Sequence, residues 1–498
     1  MNDPDPVELY HYSTNHGEPP PQPDRRTVFK AMDPGNRPAP FKQYEGLEQR
    51  LLPRRLLRSE MQAVHVLSGQ SGGQNELDWK LLGTLLFLSA GVSRVRGSPE
   101  PWAWYRMAMS AGNLHPIEVY VLYEGLWHYE PREHALVRLR EPTEVAPVGE
   151  NGAALILTGI PFRTCWKYRD RGWRHLFWDA GTLSANALAV ATAHGLHARV
   201  DIGFDDDAVS QLVGIEAPDE LPIALISLGA SETPIPPAGS LAPILAESSP
   251  VAPHPIRFPL IEEAQAAGTL PEAALGEWRE SLVAAGGPPR PTSCEPPVNA
   301  STASLEEVVR LRGSTRRFRT EVAAPAELLE WAMSAAVLAI PRDVGTGTFL
   351  KHFLSVHAVE GHRTGSALWQ DQAGLAQLGA ASDEEEERAA ARHLCLNQAL
   401  GGTSAYTVFH CSQLQPLLSY GGARGYRAAQ LEAGVVSGRL ALCAVAIGAG
   451  ATGLTFFDKE VADHFATEAT PMLVTAVGVP TTPHVRGGLP RCPVVMRG

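Results

Sequence analysis

The chain has 498 residues, too many for one compact core, which implies two or three domains. With 44% hydrophobic and 19% charged residues, its composition is that of an ordinary globular protein. A formal net charge of -12 excludes a general nucleic-acid binder, because holding the phosphate backbone needs a basic surface.

In chain order, residues 1–60 carry Tyr10-His11-x-x-Thr14-x-His16 and are read as a docking segment, since no cysteine stands nearby to complete a metal site. No basic flank followed by an apolar stretch marks a signal peptide, and apolar runs such as 440–447 are too short to span a bilayer. Residues 61–232 form a first domain, with a helix over 79–90, strands over 117–123 and 154–157, an Ala-rich helix over 175–194 and a strand over 223–228. Residues 233–300 are rich in Pro, Ala and Ser, as in Pro234-Ile-Pro-Pro237, and read as a linker with a helical island over 262–285. Residues 301–498 repeat the first pattern: helix 325–339, strands 353–359 and 405–409, helix 428–447, strand 472–477. This order predicts an α+β sandwich in each half. The six cysteines (165, 294, 395, 411, 443, 492) show neither C-x-x-C nor zinc-ligand spacing, as for unpaired thiols in a reducing cytoplasm.

The halves are copies. Arg171-Gly-Trp-Arg174, Asp179-Ala-Gly181 and Phe204-Asp205 recur as Arg424-Gly-Tyr-Arg427, Glu432-Ala-Gly434 and Phe457-Asp458, each 253 residues later. One constant interval across three motifs is the mark of an internal duplication.

Four clusters can carry chemistry. Arg106 to Glu118 contains Ser110-Ala111-Gly112-Asn113, whose small side chains and backbone N–H groups let a flat ring or phosphate approach closely; the same residues suit a plain loop-to-strand turn. Arg310 to Phe318 contains Arg312, Ser314 and Arg316, guanidinium forks and a hydroxyl fitted to a phosphate, or a solvated basic helix end. Trp166 to Arg174 sets Lys167 beside Tyr168, a proton-trading pair if burial shifts them, or else a cationic, aromatic surface loop. Gly450, Thr452 and Gly453 follow a long helix, where glycines either face a ligand or cap the helix. No P-loop, nucleophile elbow or dinucleotide fingerprint is present.

Together these stretches resemble the nitroreductase superfamily, in its SagB/ThcOx-type dehydrogenase branch and in a tandem form. The most specific are Ser110 to Glu118, Lys167-Tyr168-x-x-Arg171-Gly-Trp-Arg174 and Arg312-x-Ser314-x-Arg316-x-Phe318. The resemblance implies two α/β sandwich domains fused as a pseudo-dimer, with FMN between them. Arg312, Ser314, Arg316 and Gly450, Thr452, Gly453 of the second half would meet Arg106, Ser110, Ala111, Gly112 and Asn113 of the first, with Lys167 and Tyr168 as acid/base pair. The pseudo-symmetric site reads as lost: the second half has Pro341 to Thr348 where the loop belongs, and Pro53-Arg-Arg-Leu56 is a poor clamp. One FMN per chain follows. Trp173 stands where the family usually has Tyr, and Ile202 where another Gly is common. The implied function is dehydrogenation of a peptide or peptide-like substrate, azoline to azole. The alternatives are an NAD(P)H-dependent nitro or quinone reductase and a flavin-free scaffold subunit of a modification complex. Neither nucleic acid nor membrane is an expected partner, and homo-oligomerisation beyond the pseudo-dimer stays open.

Overall fold

Two long helices built largely from Ala, Leu, Val and Gly meet along the centre of the molecule, Gly172–Ala193 from the first half and Leu414–Ala446 from the second. The computed structural model describes residues 5–496 except 74, 98–101, 150, 230–231, 299–301 and 372. Residues 1–4 of the N-terminal segment and the expected boundary at 300 lie outside the described residues. The second helix begins fourteen residues before the predicted 428, because Pro416 falls in its first turn, where a missing N–H costs nothing. It breaks at Gly422 (φ 56°, ψ -157°). The first half breaks at the equivalent Arg169 (φ 53°, ψ -147°), between the helix Pro161–Tyr168 and the turn leading into Gly172–Ala193.

The long helices cross where neither has a side chain. A Cβ on Gly181 would sit 2.7 Å from the Gly434 Cα, and a Cβ on Gly434 would sit 2.5 Å from the Trp178 carbonyl oxygen. Gly434→Val should therefore cost about 1–3 kcal/mol of stability by overpacking, read from denaturant unfolding. An unchanged midpoint would contradict so close a crossing.

Each half lays a sheet of antiparallel neighbours against this pair. The first runs in the order Gln49–Leu51, Ala135–Arg140, Leu126–Glu130, Ile117–Leu122, Ala153–Gly159, Leu221–Leu228, Ala198–Asp201. The second runs Gly374–Gln377, Gly365–Gln370, Lys351–Val356, Tyr406–Ser412, Thr470–Gly478, Gly450–Leu454. Every strand of the second sheet has its counterpart in the first, and Ala153–Gly159 and Tyr406–Ser412 keep the 253-residue interval. Only the first half inserts a hairpin, Val92–Arg96 with Ala103–Arg106, which the C-terminal strand Val494–Met496 joins in parallel. Gln49–Leu51 lies within the 1–60 segment yet is an edge strand of the first sheet.

Buried charge ties the halves together reciprocally. Arg171 and Arg174 donate to Asp458 at 3.0 and 2.9 Å, while Arg427 donates to Asp206 at 2.8 Å and Arg424 pairs with the same carboxylate. The partner of Asp458 in the repeat is thus Asp206, one residue beyond the matched Asp205. Asp205 instead caps the helix Asp206–Val213 by accepting from Asp207 N and Ala208 N. The 166–174 stretch is not a surface loop, since Arg171 and Arg174 are buried. The predicted linker helix divides into Pro259–Ala266 and Leu275–Ala285 around Gly268 and Pro271. Its first part mirrors the N-terminal helix Pro6–Ser13. Gln265 O and Gly268 O accept from Arg427 and Arg424, as His11 O and Asn15 Oδ1 accept from Arg174.

Among the described residues one helix, Leu414–Ala446, is long and apolar enough to cross a membrane by length and composition, more than the 440–447 run conveyed. Its most apolar window is 94% buried inside the protein, so core packing already accounts for its character. All six cysteines are free, four of them buried.

Candidate functional site

The inserted hairpin delivers the chain at Arg106 into a loop with left-handed backbone at Gly112 (φ 62°), Asn113 (φ 59°) and His115 (φ 48°). Two of these carry side chains and pay steric strain, so the surroundings must hold them. Asn113 Nδ2 donates to Trp104 O at 2.9 Å, and Asn113 Oδ1 lies 2.9 Å from His115 Nε2. His115 N donates to Ser110 Oγ at 2.8 Å. Ser110 Oγ and Ala111 N both donate to the Asp179 carboxylate on the first long helix.

Facing this loop is the segment that follows the helix Leu305–Leu311, whose start is closed by the Ser304/Glu307 capping box. Arg312 donates from Nε and Nη2 to Met107 O at 3.0 and 2.6 Å, tying the second half to the root of the first-half loop. Thr315 N then donates to Ala451 O at 3.0 Å, aligning 312–317 beside the strand Gly450–Leu454.

Between loop and segment lies a cleft of about 660 Å³, within the range of small-molecule and cofactor sites. Its lining among the described residues includes Ser110, Asn113 and Ser314, with six arginines (94, 96, 106, 312, 316, 317) and no aspartate or glutamate. Arg94, Arg106 and Arg312 are buried and spend their donors on backbone carbonyls. Burial pushes all three below the ordinary arginine value, and a neighbouring arginine adds to it in each case. A guanidinium nevertheless keeps its proton, so the cleft carries concentrated positive charge, with no carboxylate among the described residues that line it. Thr315 Oγ1 and Arg96 Nε are buried atoms with no hydrogen-bond partner among the described residues. This donor set fits a phosphate group.

Lys167 and Tyr168 stand behind the loop rather than in the cleft lining. A Cβ on Gly112 would lie 2.7 Å from Tyr168 Oη and 3.3 Å from Lys167 Nζ, so only glycine fits against the pair. Lys167 Nζ is 5.1 Å from the Tyr168 ring centroid. Partial burial and then Arg316 lower the pKa of the exposed Lys167, while burial and Asp179 push Tyr168 up to about 12 against the pull of Arg316. At neutral pH the tyrosine keeps its proton, and the lysine is the readier to lose one.

The late glycine segment departs from expectation. Residues 450–454 pair with Thr470–Gly478 as an edge strand, and neither Thr452 nor Gly453 lines the cleft. Gly450 does not line it either but packs behind two residues that do, since a Cβ there would fall 2.1 Å from Thr315 Oγ1 and 2.9 Å from His484 Nε2. The equivalent of the clamp in the first half is also not Pro53 to Leu56. The helices Ala63–Leu67 and Leu305–Leu311 meet across the pseudo-twofold through the Gln62–Ser304 bridge, so Ser68-Gly-Gln-Ser-Gly-Gly73 stands where Arg312 to Arg317 stand. Backbone closes that second position. A Cβ on Gly72 would be 2.2 Å from Ala193 O, and one on Gly69 would be 2.2 Å from Thr292 O of the linker.

Arg94, Arg96 and His484 line the cleft without belonging to any of the expected clusters. Arg94 and Arg96 sit on the strand Val92–Arg96, whose sequence lacks strict alternation, although the Gly97-Ser98-Pro99 that follows is a turn signal in the sequence. Arg317 lies inside the expected 310–318 cluster. His484 has no local signal; the C-terminal tail brings it in.

Residues 87–230 match the model of the nitroreductase family. The chain is 28% identical over 171 residues to "Putative nitroreductase MJ1384" of Methanocaldococcus jannaschii, covering 30% of this chain and 78% of that protein. It is 28% identical over 154 residues to the Microcin B17-processing protein McbC of Escherichia coli, covering 26% of this chain and 57% of that relative. A crystal structure from Anabaena variabilis, with the same designation as the Methanocaldococcus protein, superposes with a TM-score of 0.65 over 96% of this chain and 99% of its own, at 21% identity. The fold is thus the nitroreductase fold.

Proposed function

We propose that the chain is an FMN-dependent oxidoreductase with one composite site, and that it dehydrogenates a peptide or peptide-like substrate of the azoline type. The observation that carries this is the cleft itself, with arginines from both halves and no carboxylate among the described residues that line it. Arg312, Ser314 and Arg316 would hold the cofactor phosphate, with the unpartnered Thr315 hydroxyl as a further donor. Ser110, Ala111, Gly112 and Asn113 would form the loop beside the ring, and Gly450 would back Thr315 on the opposite side. FMN, when bound, supplies the two-electron redox chemistry. Lys167 and Tyr168 handle the proton, Lys167 as acceptor through its lowered pKa and Tyr168 as a protonated hydroxyl that orients the substrate. The likeness to McbC supports a peptide-derived substrate, while the likeness to the Methanocaldococcus protein favours NAD(P)H-dependent reduction of nitro compounds as the second reading. Rapid bleaching of bound flavin by NADPH would select the latter.

The test of the site exploits its two origins. Arg316→Ala and Asn113→Ala, changed separately in different halves, should each weaken FMN retention. For Arg316 the loss of a charge-assisted bond worth about 1.5–3 kcal/mol corresponds to about 10- to 150-fold in affinity. Flavin content and Kd from fluorescence titration read both; wild-type retention in either variant would overturn the composite site.

A further inference from the structure

Asp179 and Glu432 occupy the same place in the two long helices, 253 residues apart, and each accepts hydrogen bonds from the loop of its own half. Glu432 takes the Thr348 hydroxyl, Phe349 N at 3.2 Å and Arg342 Nη1 at 2.8 Å, so its buried charge is neutralised by an equally buried guanidinium. Asp179 takes the Ser110 hydroxyl and Ala111 N at 3.0 Å, and has no ion-pair partner among the described residues. It is 5% exposed, beside a void of about 20 Å³ that Arg106, Ser110 and His115 also line. The closed second position thus carries a locked loop, and the open cleft carries a loop held by a bare carboxylate.

We infer that Asp179 is a positioning residue of the cleft: it holds the strained Ser110–His115 loop in its binding shape, and its uptake of a proton is coupled to closure of that loop over a bound ligand. Burying an ionised carboxylate without a cation is unfavourable, so a closed loop favours the neutral acid. Burial lifts Asp179 to about 7, against the hydrogen bonds of Ser110 and Ala111 and the more distant Arg106. The other titratable groups around it are Tyr168 on the preceding helix, which stays protonated, and His115 and His175, both held neutral mainly by burial. An open loop returns Asp179 to water and to the ordinary carboxylate range. Below pH 7 the closed form therefore binds more protons than the open one, and closure strengthens as pH falls.

The inference rests on the FMN reading, and FMN is the probe. Affinity is measured by flavin fluorescence at pH 6 and pH 8 in the wild type and in Asp179→Asn, which is neutral at every pH and retains only the titration of the FMN phosphate. The ratio of pH 6 to pH 8 affinity should be about tenfold larger in the wild type than in the variant, as expected for one proton and a closed-state pKa near 7; the same slope in both proteins overturns the inference and leaves the flavin reading standing. Folded wild-type protein that binds no FMN at either pH overturns both. Should Asp179→Asn not fold, Ser110→Ala keeps the carboxylate, removes one donor and should move the midpoint of the wild-type pH profile upward. An unmoved midpoint overturns the coupling.

Discussion

Asp458→Asn should lower the stability of the chain by about 3–5 kcal/mol, because it strands Arg171 and Arg174 as unpaired charges in the interior. Burial alone would raise the Asp458 pKa, but the two guanidiniums outweigh it and hold the carboxyl below its ordinary value. The folded-state pKa is depressed, so this contribution is complete above the ordinary carboxylate range and is lost as pH falls through the lowered value. Denaturant unfolding at pH 7 and again in acid reads both features. A change of less than about 0.5 kcal/mol at pH 7, the size of an ordinary surface substitution, would mean that the halves do not depend on this pairing.

Lys167→Ala should leave flavin retention intact and cut turnover by about 10²–10⁴, the range of a lost general acid or base. Gly112 keeps its contact with Tyr168 in that variant, so the loop itself is undisturbed. Because partial burial and Arg316 both disfavour the ammonium form, wild-type turnover should rise with pH through a value below the ordinary lysine pKa of 10.5. Arg316→Lys keeps the charge and should preserve that profile, whereas loss of the charge should move it toward the ordinary value. Full activity without Lys167 would remove it from the mechanism.

Most of the fold was legible because duplication doubles every signal. The 253-residue interval of three motifs established the duplication, and the same order of helices and strands was legible in each copy from its own composition and periodicity. The misses have local causes. Leu126–Glu130 and Ala135–Arg140 are short strands with buried charged and aromatic residues in place of clean alternation. The slip between Asp205 and Asp206 arose because three consecutive aspartates, 205 to 207, face one, and only the ion pairs decide between them. In the site, Ser110, Asn113, Arg312, Ser314 and Arg316 do converge on one cleft, whereas Thr452 and Gly453 do not, because glycine after a helix reads as a loop even where backbone pairing makes it a strand. Arg94 and Arg96 belong to an insertion without a counterpart in the other half, so comparing the copies gave no cue to them.

The reciprocal ion pairs have one more effect. A cleft assembled from two separate subunits comes apart on dilution, and its occupancy then depends on how much protein is present. Here the 233–300 segment tethers the halves, so each carboxylate meets the other half's arginines at a fixed, high effective concentration. The cleft is as complete at nanomolar protein as at millimolar. Such a chain is free to let one of its two pseudo-equivalent positions decay, since no exchange of subunits can pair two decayed copies.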